Sequence, residues 1–291
     1  MSLVVAQVTE EGPRIVSDTR VTFRDERRSS FKAGVLKTVV ASREFAISFA
    51  GDVGIGLAAV RAFASRVNSG ALVEDVEREL LQTAIGGPGS VEFIIARAVP
   101  NSKLTRIRSS GIERDLLAAW IGDSAAFERF QSVRNGPHSP GAAHLLASLP
   151  NVAQIMMALN EAMRAVIADP TIGSVDDFCV GVASSSGAFN YFPSMFVHLG
   201  RDIQVGDGDD LVAKLAQSVE EGGYAVSVVE PLHPGTAALG LNFPRARLGI
   251  VYLPLQFDEA RVVENVSPNE FAKVVHEKFG VEFNMPMLRT P

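Results

Sequence analysis

Three residues near the start of the chain could together perform hydrolytic chemistry: Ser2, Asp18 and Lys37. Methionine before a small residue is normally trimmed in the cytoplasm, and loss of Met1 would leave Ser2 with a free α-amine. An α-amine has an ordinary pKa of about 7.7–8.0, below that of lysine, so it can accept a proton near neutral pH. One residue would then carry both the nucleophilic hydroxyl and the base that activates it. Such a centre needs a cation to keep the amine neutral and to favour the alkoxide, a part that suits Lys37. It also needs a carboxylate to orient that cation, a part that suits Asp18. Taken singly, each charge reads as solvent-facing. Each nevertheless lies in a segment that otherwise reads as strand, where an unpaired interior charge is costly.

Strands must hold these residues together, and the pattern supplies them. Residues 3–8 and 14–20 flank the turn Glu10-Glu11-Gly12-Pro13 and predict a hairpin. The mixed-charge run Arg24-Asp25-Glu26-Arg27-Arg28 reads as a solvated loop. Residues 35–40 and 44–50 predict two more strands. In the second, Phe45, Ile47 and Phe49 share one face, and Ala46, Ser48 and Ala50 the other. That small-residue face, ending at Ala50-Gly51, offers backbone N–H groups to an oxyanion.

Leu57, Val60, Ala64 and Val67 recur at helical spacing until Asn68-Ser69-Gly70, and a second helix is predicted over 73–84. Strands follow over 91–99, 104–112 and 116–121, then helices over 125–134 and 151–168, the latter bracketed by Pro150 and Pro170. A last hairpin is predicted from 178–182 and 189–198. This order predicts two sheets between helical layers. Beyond it, a helix over 207–221, strands over 224–229 and 247–255 and a closing helix are expected. Ser267-Pro268-Asn269-Glu270 has the form of an N-cap, a proline at N1 and a capping-box glutamate.

Composition narrows the function classes. The 27 basic and 33 acidic residues give a formal charge of -6 with no basic stripe, which argues against nucleic acid as a partner. There is no signal-peptide pattern and no apolar run of about 18 residues, so a cytoplasmic chain without a membrane span is expected. The lone cysteine, Cys179, sits between Phe178 and Val180 and reads as a buried, inert thiol. His138 and His144 are spaced for neither a helix face nor a strand and read as surface residues, so no metal or other cofactor is expected. The glycines of Gly51-Asp52-Val53-Gly54-Ile55-Gly56 do not follow the dinucleotide-binding spacing and read as tight strand-to-helix packing.

With these residues in place, the chain resembles the proteasome β-subunit superfamily of N-terminal-nucleophile hydrolases, most closely its HslV-type and Anbu-type bacterial members. Ser2-Leu3-Val4-Val5-Ala6 resembles the family's opening strand, which usually begins with a catalytic threonine. The Ser2-to-Asp18 spacing matches without a gap, and Lys37 falls on the catalytic lysine after a short insertion. Phe49-Ala50-Gly51 resembles the motif before the first helix, and Ile121-Gly122-Asp123-Ser124 the later Ile-Gly-Ser-Gly turn. Asp169 and Ser174 look like the aspartate and serine that support the terminal amine.

The resemblance implies an α+β fold: a four-layer αββα sandwich over residues 1–200 with a C-terminal α/β extension over 201–291, packed on the core or continuing it. It implies peptide or amide hydrolysis by Ser2 with Asp18 and Lys37. Ser48 and Gly51 would line the oxyanion and substrate pocket, with Asp123, Ser124, Asp169 and Ser174 in support. It further implies no cofactor, assembly as a homo-oligomeric ring or spiral, and room for an ATP-dependent unfoldase partner. The chain departs from the pattern in four places. Serine replaces threonine and loses a rotamer-restricting methyl, Ser48 stands where the family usually has glycine, Asp123 replaces a serine, and residues 200–291 have no counterpart in the compact bacterial members. These departures keep open a second reading, a catalytically silent scaffold subunit that self-assembles.

Overall fold

A computed structural model describes residues 2–19, 35–87, 89–98, 100–136, 151–175, 178–198, 224–231, 238–244, 247–253 and 256–284. The charged run Arg24–Arg28, His138, His144 and the helix expected over 207–221 lie outside these residues. The described chain is α+β and divides into two units, one built mainly on residues 1–191 and the other mainly on 192–291.

The first unit holds two five-stranded sheets. In one, β1 (Leu3–Thr9) pairs antiparallel with β2 (Gly12–Ser17) on one side and β8 (Ala118–Gly122) on the other. β9 (Val180–Ser185) and β10 (Ala188–Tyr191) extend it to the order β10-β9-β2-β1-β8. The other runs in sequence order through β3 (Thr38–Val40), β4 (Phe45–Gly51), β5 (Val91–Arg97), β6 (Lys103–Arg108) and β7 (Gly111–Leu116).

Helix α1 (Val53–Asn68) starts where the Asp52 carboxylate accepts the Ile55 N–H at 3.0 Å, a side-chain N-cap. It packs on β4 so closely that a Cβ at Gly56 would sit 2.1 Å from the Phe49 ring, which is the tight packing its glycines suggest. Helix α2 (Val73–Gly86) lies on β5 and β6. Helix α3 (Ser124–Arg134) packs on α4 (Asn151–Ile167), which covers β2 and β9 with Met156, Leu159, Met163 and Val166 buried. Strands of the two sheets touch, β1 with β4 and β6, and β8 with β5. β2 and β3 are buried throughout and β4 almost so, which is why their sequences are nearly continuous in apolar and small residues.

The structure corrects several expected boundaries. The strand expected over 104–112 breaks at Ser109-Ser110 into β6 and β7, because Ser-Ser-Gly favours a turn. The segment 189–198 also divides. β10 ends at Tyr191, and after Pro193, which has no N–H to give a ladder, Ser194–His198 forms β11 in a different sheet. Asp18 follows β2 and Lys37 precedes β3, so both flank strands rather than sit within them, and both are fully buried rather than solvent-facing.

In the second unit, β11 pairs with β12 (Tyr224–Pro231), followed in the same sheet by β13 (Leu239–Phe243), β14 (Leu248–Leu253) and β15 (Gln256–Glu264), while the short β16 (Phe283–Asn284) pairs with β12. Helix α5 (Pro268–Phe279) opens with the capping box legible in the sequence: Ser267 N–H donates to Glu270 Oε2 at 2.7 Å, and Glu270 N–H to Ser267 Oγ at 3.4 Å. Its Phe271 and Val275 pack with Val251, Val263 and Phe283. Among the described residues no helix is long and apolar enough to cross a membrane.

Candidate active site

The β1–β2 register ends at Val4 opposite Ser17, so the next residues, Leu3 and Asp18, also meet. Leu3 N–H donates to Asp18 Oδ1 at 3.0 Å and Asp18 N–H to the Leu3 carbonyl at 3.4 Å. The backbone thus holds the carboxylate one residue from Ser2. In the other sheet, Thr38 faces Ser48 and sets Lys37 against Phe49. Phe49 N–H donates to the Lys37 carbonyl at 2.9 Å, and Lys37 Nζ stands 5.0 Å from the Phe49 ring centroid, a cation–π contact. Ser2, Asp18 and Lys37 are at most 1% exposed.

A line of hydroxyls ties the two sheets beside these residues. Thr38 Oγ1 donates to Ser17 Oγ at 3.0 Å and, having one proton, accepts from Ser48 Oγ at 2.9 Å. Ser17 neighbours Asp18 and Thr38 neighbours Lys37, so this bridge brings the two charged residues' strand ends together. Thr38→Val keeps the shape and removes the bridge, leaving two buried hydroxyls without that partner. Thermal unfolding should show a loss of roughly 1–3 kcal/mol, with Thr38→Ser close to the parent.

On the other side of Ser2, Gly122 faces Leu3 with φ +104°, and Asp123 N–H donates to the Ser2 carbonyl at 2.9 Å. The Asp123 side chain caps α3 by accepting from Ala126 N–H at 3.0 Å. Burial pushes its carboxyl upward, but the Ala126 and Ala125 N–H groups and the Ser174 hydroxyl outweigh this and hold it below the usual aspartate range. Ser174 Oγ is buried without a hydrogen bond of regular geometry, so it acts on Asp123 through proximity.

The remaining expected supports are Asp169 and Ser124. The Asp169 carboxylate accepts from Thr171 Oγ1 at 2.6 Å and Thr171 N–H at 3.0 Å, bonds that hold it below its ordinary range, and pairs with Arg129 Nε at 3.0 Å. It therefore closes the end of α4 and ties it to α3. Ser124 is exposed at the first turn of α3.

A half-open cavity of about 160 Å³ is lined by residues that include Ala50, Gly51, Ala84, Ser90, Glu92 and Gly122; Ser2, Asp18 and Lys37 are not among them. Gly51 is one of its lining residues. Ser48 lies further back on β4 with its hydroxyl committed to Thr38. Glu92 is a member that the sequence reading missed. Its Oε2 accepts the Gly122 N–H at 3.0 Å and its Oε1 stands 2.9 Å from Arg108 Nε, an ionic contact rather than an aligned hydrogen bond. Arg108 in turn lies over the Trp120 ring at 5.1 Å and donates to the Trp120 carbonyl at 3.1 Å. A lone carboxylate within Val91-Glu92-Phe93-Ile94-Ile95 was the available signal, of the kind that singled out Asp18 and Lys37.

Cys179 is buried, with Sγ donating to Asn160 Oδ1 at 3.2 Å, and burial pushes its thiol far up, which keeps it protonated and inert. Among the described residues no cluster of His, Cys, Asp and Glu is placed to hold a metal ion. Compared with known proteins, the chain matches no family model and no curated protein sequence.

Proposed function

We propose that this protein is an amide-bond hydrolase of the proteasome β-subunit type that uses Ser2 as an N-terminal nucleophile once Met1 is removed. The observation that carries this reading is the burial of Ser2, Asp18 and Lys37, distant in sequence, at neighbouring strand ends. Buried polar groups of this kind are costly to keep and concentrate at functional sites. In this reading the two facing sheets, with α1 and α2 on one and α3 and α4 on the other, are the layers of a four-layer αββα sandwich.

The chemistry follows from the roles of the residues. The Ser2 α-amine takes the proton of Ser2 Oγ as that oxygen attacks the substrate carbonyl, and Lys37, oriented by Asp18, favours the amine's neutral form and the developing alkoxide. Backbone N–H groups around Gly51 receive the oxyanion. Collapse of the tetrahedral intermediate breaks the C–N bond, and the leaving amine takes the proton from the α-ammonium. A water molecule, deprotonated by the same amine, then hydrolyses the Ser2 ester. We place this activity in a cytoplasmic homo-oligomer acting on peptides or small amides, served by an unfoldase if the substrates are folded proteins.

One observation favours the second reading, a silent scaffold: at 1% exposure, Ser2 offers a substrate almost no surface. Intact mass spectrometry of protein made without an N-terminal tag separates the two, before and after an electrophile that traps N-terminal nucleophiles. The hydrolase predicts loss of Met1 and one covalent adduct. A retained Met1 with no adduct overturns the hydrolase and leaves the scaffold reading standing.

A further inference from the structure

The nucleophile and the oxyanion donors of the proposed centre belong to different sheets. Ser2 directly precedes β1, whereas Gly51 ends β4, and the two sheets share no ladder. Catalytic groups divided in this way must be held to within about 0.5 Å of their working geometry. On the Lys37 side the sheets are tied by the hydroxyl bridge from Thr38 to Ser17. On the Ser2 side the tie is Glu92. It lies opposite Ala50 on β5, where the pairing of Gly51 with Val91 and the bond from Asp52 N–H to the Ser90 carbonyl at 3.0 Å fix the end of β4. Its Oε2 accepts the Gly122 N–H at 3.0 Å, and the next N–H along the chain, that of Asp123, donates to the Ser2 carbonyl at 2.9 Å.

Together with Arg108, Glu92 also closes an open strand edge. Among the described strands β8 is the last of its sheet, so one side of its backbone has no strand to bond. Trp120 and Gly122 are two residues apart and turn their polar groups to the same side. The Gly122 N–H goes to Glu92, and the Trp120 carbonyl accepts from Arg108 Nη2 at 3.1 Å. Arg108 Nε stands 2.9 Å from Glu92 Oε1, and the guanidinium lies over the Trp120 ring, which stacks on Phe127 at 4.3 Å. The two side chains, coming from the other sheet, thus do for β8 what a neighbouring strand would: they supply an acceptor for an N–H and a donor for a carbonyl.

We infer that Glu92 and Arg108 are positioning residues for the hydrolytic centre: as a clasp on the free edge of β8 they set the distance between Ser2 and the backbone N–H groups around Gly51. The inference deepens the reading of Ser2 as the nucleophile and rests on it. Both residues act through the Gly122-Asp123 segment rather than on the reacting atoms. The clasp therefore matters most to steps in which an oxyanion develops, and little to the reactivity of Ser2 Oγ itself, which depends on the terminal amine, Lys37 and Asp18.

Two probes of the untagged, processed protein separate these effects. One is hydrolysis of a fluorogenic peptide amide, which passes through an oxyanion. The other is labelling by a peptide vinyl sulfone, in which Ser2 Oγ bonds the β-carbon, the α-carbon takes the proton and no carbonyl oxyanion forms. Glu92→Leu should lower kcat for the amide roughly tenfold or more while slowing labelling by less than about threefold. Glu92→Gln keeps an acceptor for the Gly122 N–H and should hold the amide rate within about threefold of the parent. Because Glu92→Leu can fail to fold, Arg108→Met gives an independent arm. It frees the Glu92 carboxylate and the Trp120 carbonyl, and should shift the ratio of hydrolysis to labelling in the same direction by roughly threefold or more. Gly70→Ala, a destabilising change in the α1–α2 turn, should leave that ratio unmoved, as a merely structural role for the clasp would. Hydrolysis and labelling that fall together, a ratio that Gly70→Ala moves as far, or a Glu92→Gln as slow as Glu92→Leu overturns the clasp and leaves the nucleophile standing. Absence of any Ser2 adduct in the parent overturns both.

Discussion

Ser2→Ala is expected to abolish the covalent adduct and to lower amide hydrolysis by roughly 10³-fold or more, with the melting temperature unchanged. The expectation is unusually clean because the substitution alters little else. Alanine is also small, so Met1 should still be trimmed and the same α-amine exposed. The bond that fastens this residue uses its carbonyl, which accepts Asp123 N–H at 2.9 Å and is untouched by loss of the hydroxyl. The variant therefore removes the attacking oxygen while keeping the base and the strand. Mass spectrometry with the trapping electrophile, alongside turnover of a fluorogenic peptide amide, reads the result. A surviving adduct would place the nucleophile on another side chain.

Gly122→Ala should be severely destabilising, at roughly 2–5 kcal/mol. The new Cβ would lie 1.9 Å from the Ser2 carbonyl oxygen and 2.8 Å from its carbon, so the obstacle is backbone and cannot rotate away. The residue also has φ +104°, which L side chains rarely adopt. The two causes can be separated. Gly70 likewise has positive φ, +83°, but a Cβ there meets nothing within 4 Å, so Gly70→Ala reports the conformational cost alone. The excess in the Gly122 variant, read as the difference between the two thermal unfolding curves, measures how tightly Ser2 is pressed against β8. If the two variants melted alike, the close approach at Ser2 would carry no energy.

Where local chemistry decides structure, residues in the sequence were enough to predict it. The capping box at Ser267 and Glu270, the Asp52 junction into α1 and the Glu10-Glu11 turn are each set by a few adjacent side chains. Asp18 and Lys37 stood out because a charge in an apolar run demands an explanation. What the sequence could not indicate were the partners supplied by distant segments. Val35-Leu36 reads as strand, yet Val35 N–H bonds to Thr19 O at 2.8 Å outside any ladder. Alternation placed Ser48 on the small-residue face of β4 but not the Thr38 hydroxyl that claims it. Asp169 was aligned with an amine-supporting role, but its partner Arg129 on α3 was not legible. Glu92 escaped notice because its meaning depends on Gly122, which reaches it from the other sheet, as well as on Arg108 across its own hairpin.

The pairing of β1 with both β2 and β8 also bears on when the site comes into being. Leu3 bonds locally across a hairpin to the Ser17–Asp18 end, but its other neighbour is Gly122, far along the chain. Contacts of such long sequence separation form late, because loop closure must precede them. A ribosome-bound chain would thus carry Ser2 on an unflanked strand edge, without the Asp123 N–H on its carbonyl and without the Gly122 wall. In the proposed hydrolase, the centre would therefore assemble only after β8 has been synthesised and docked, and the nascent polypeptide would not meet a competent nucleophile before then.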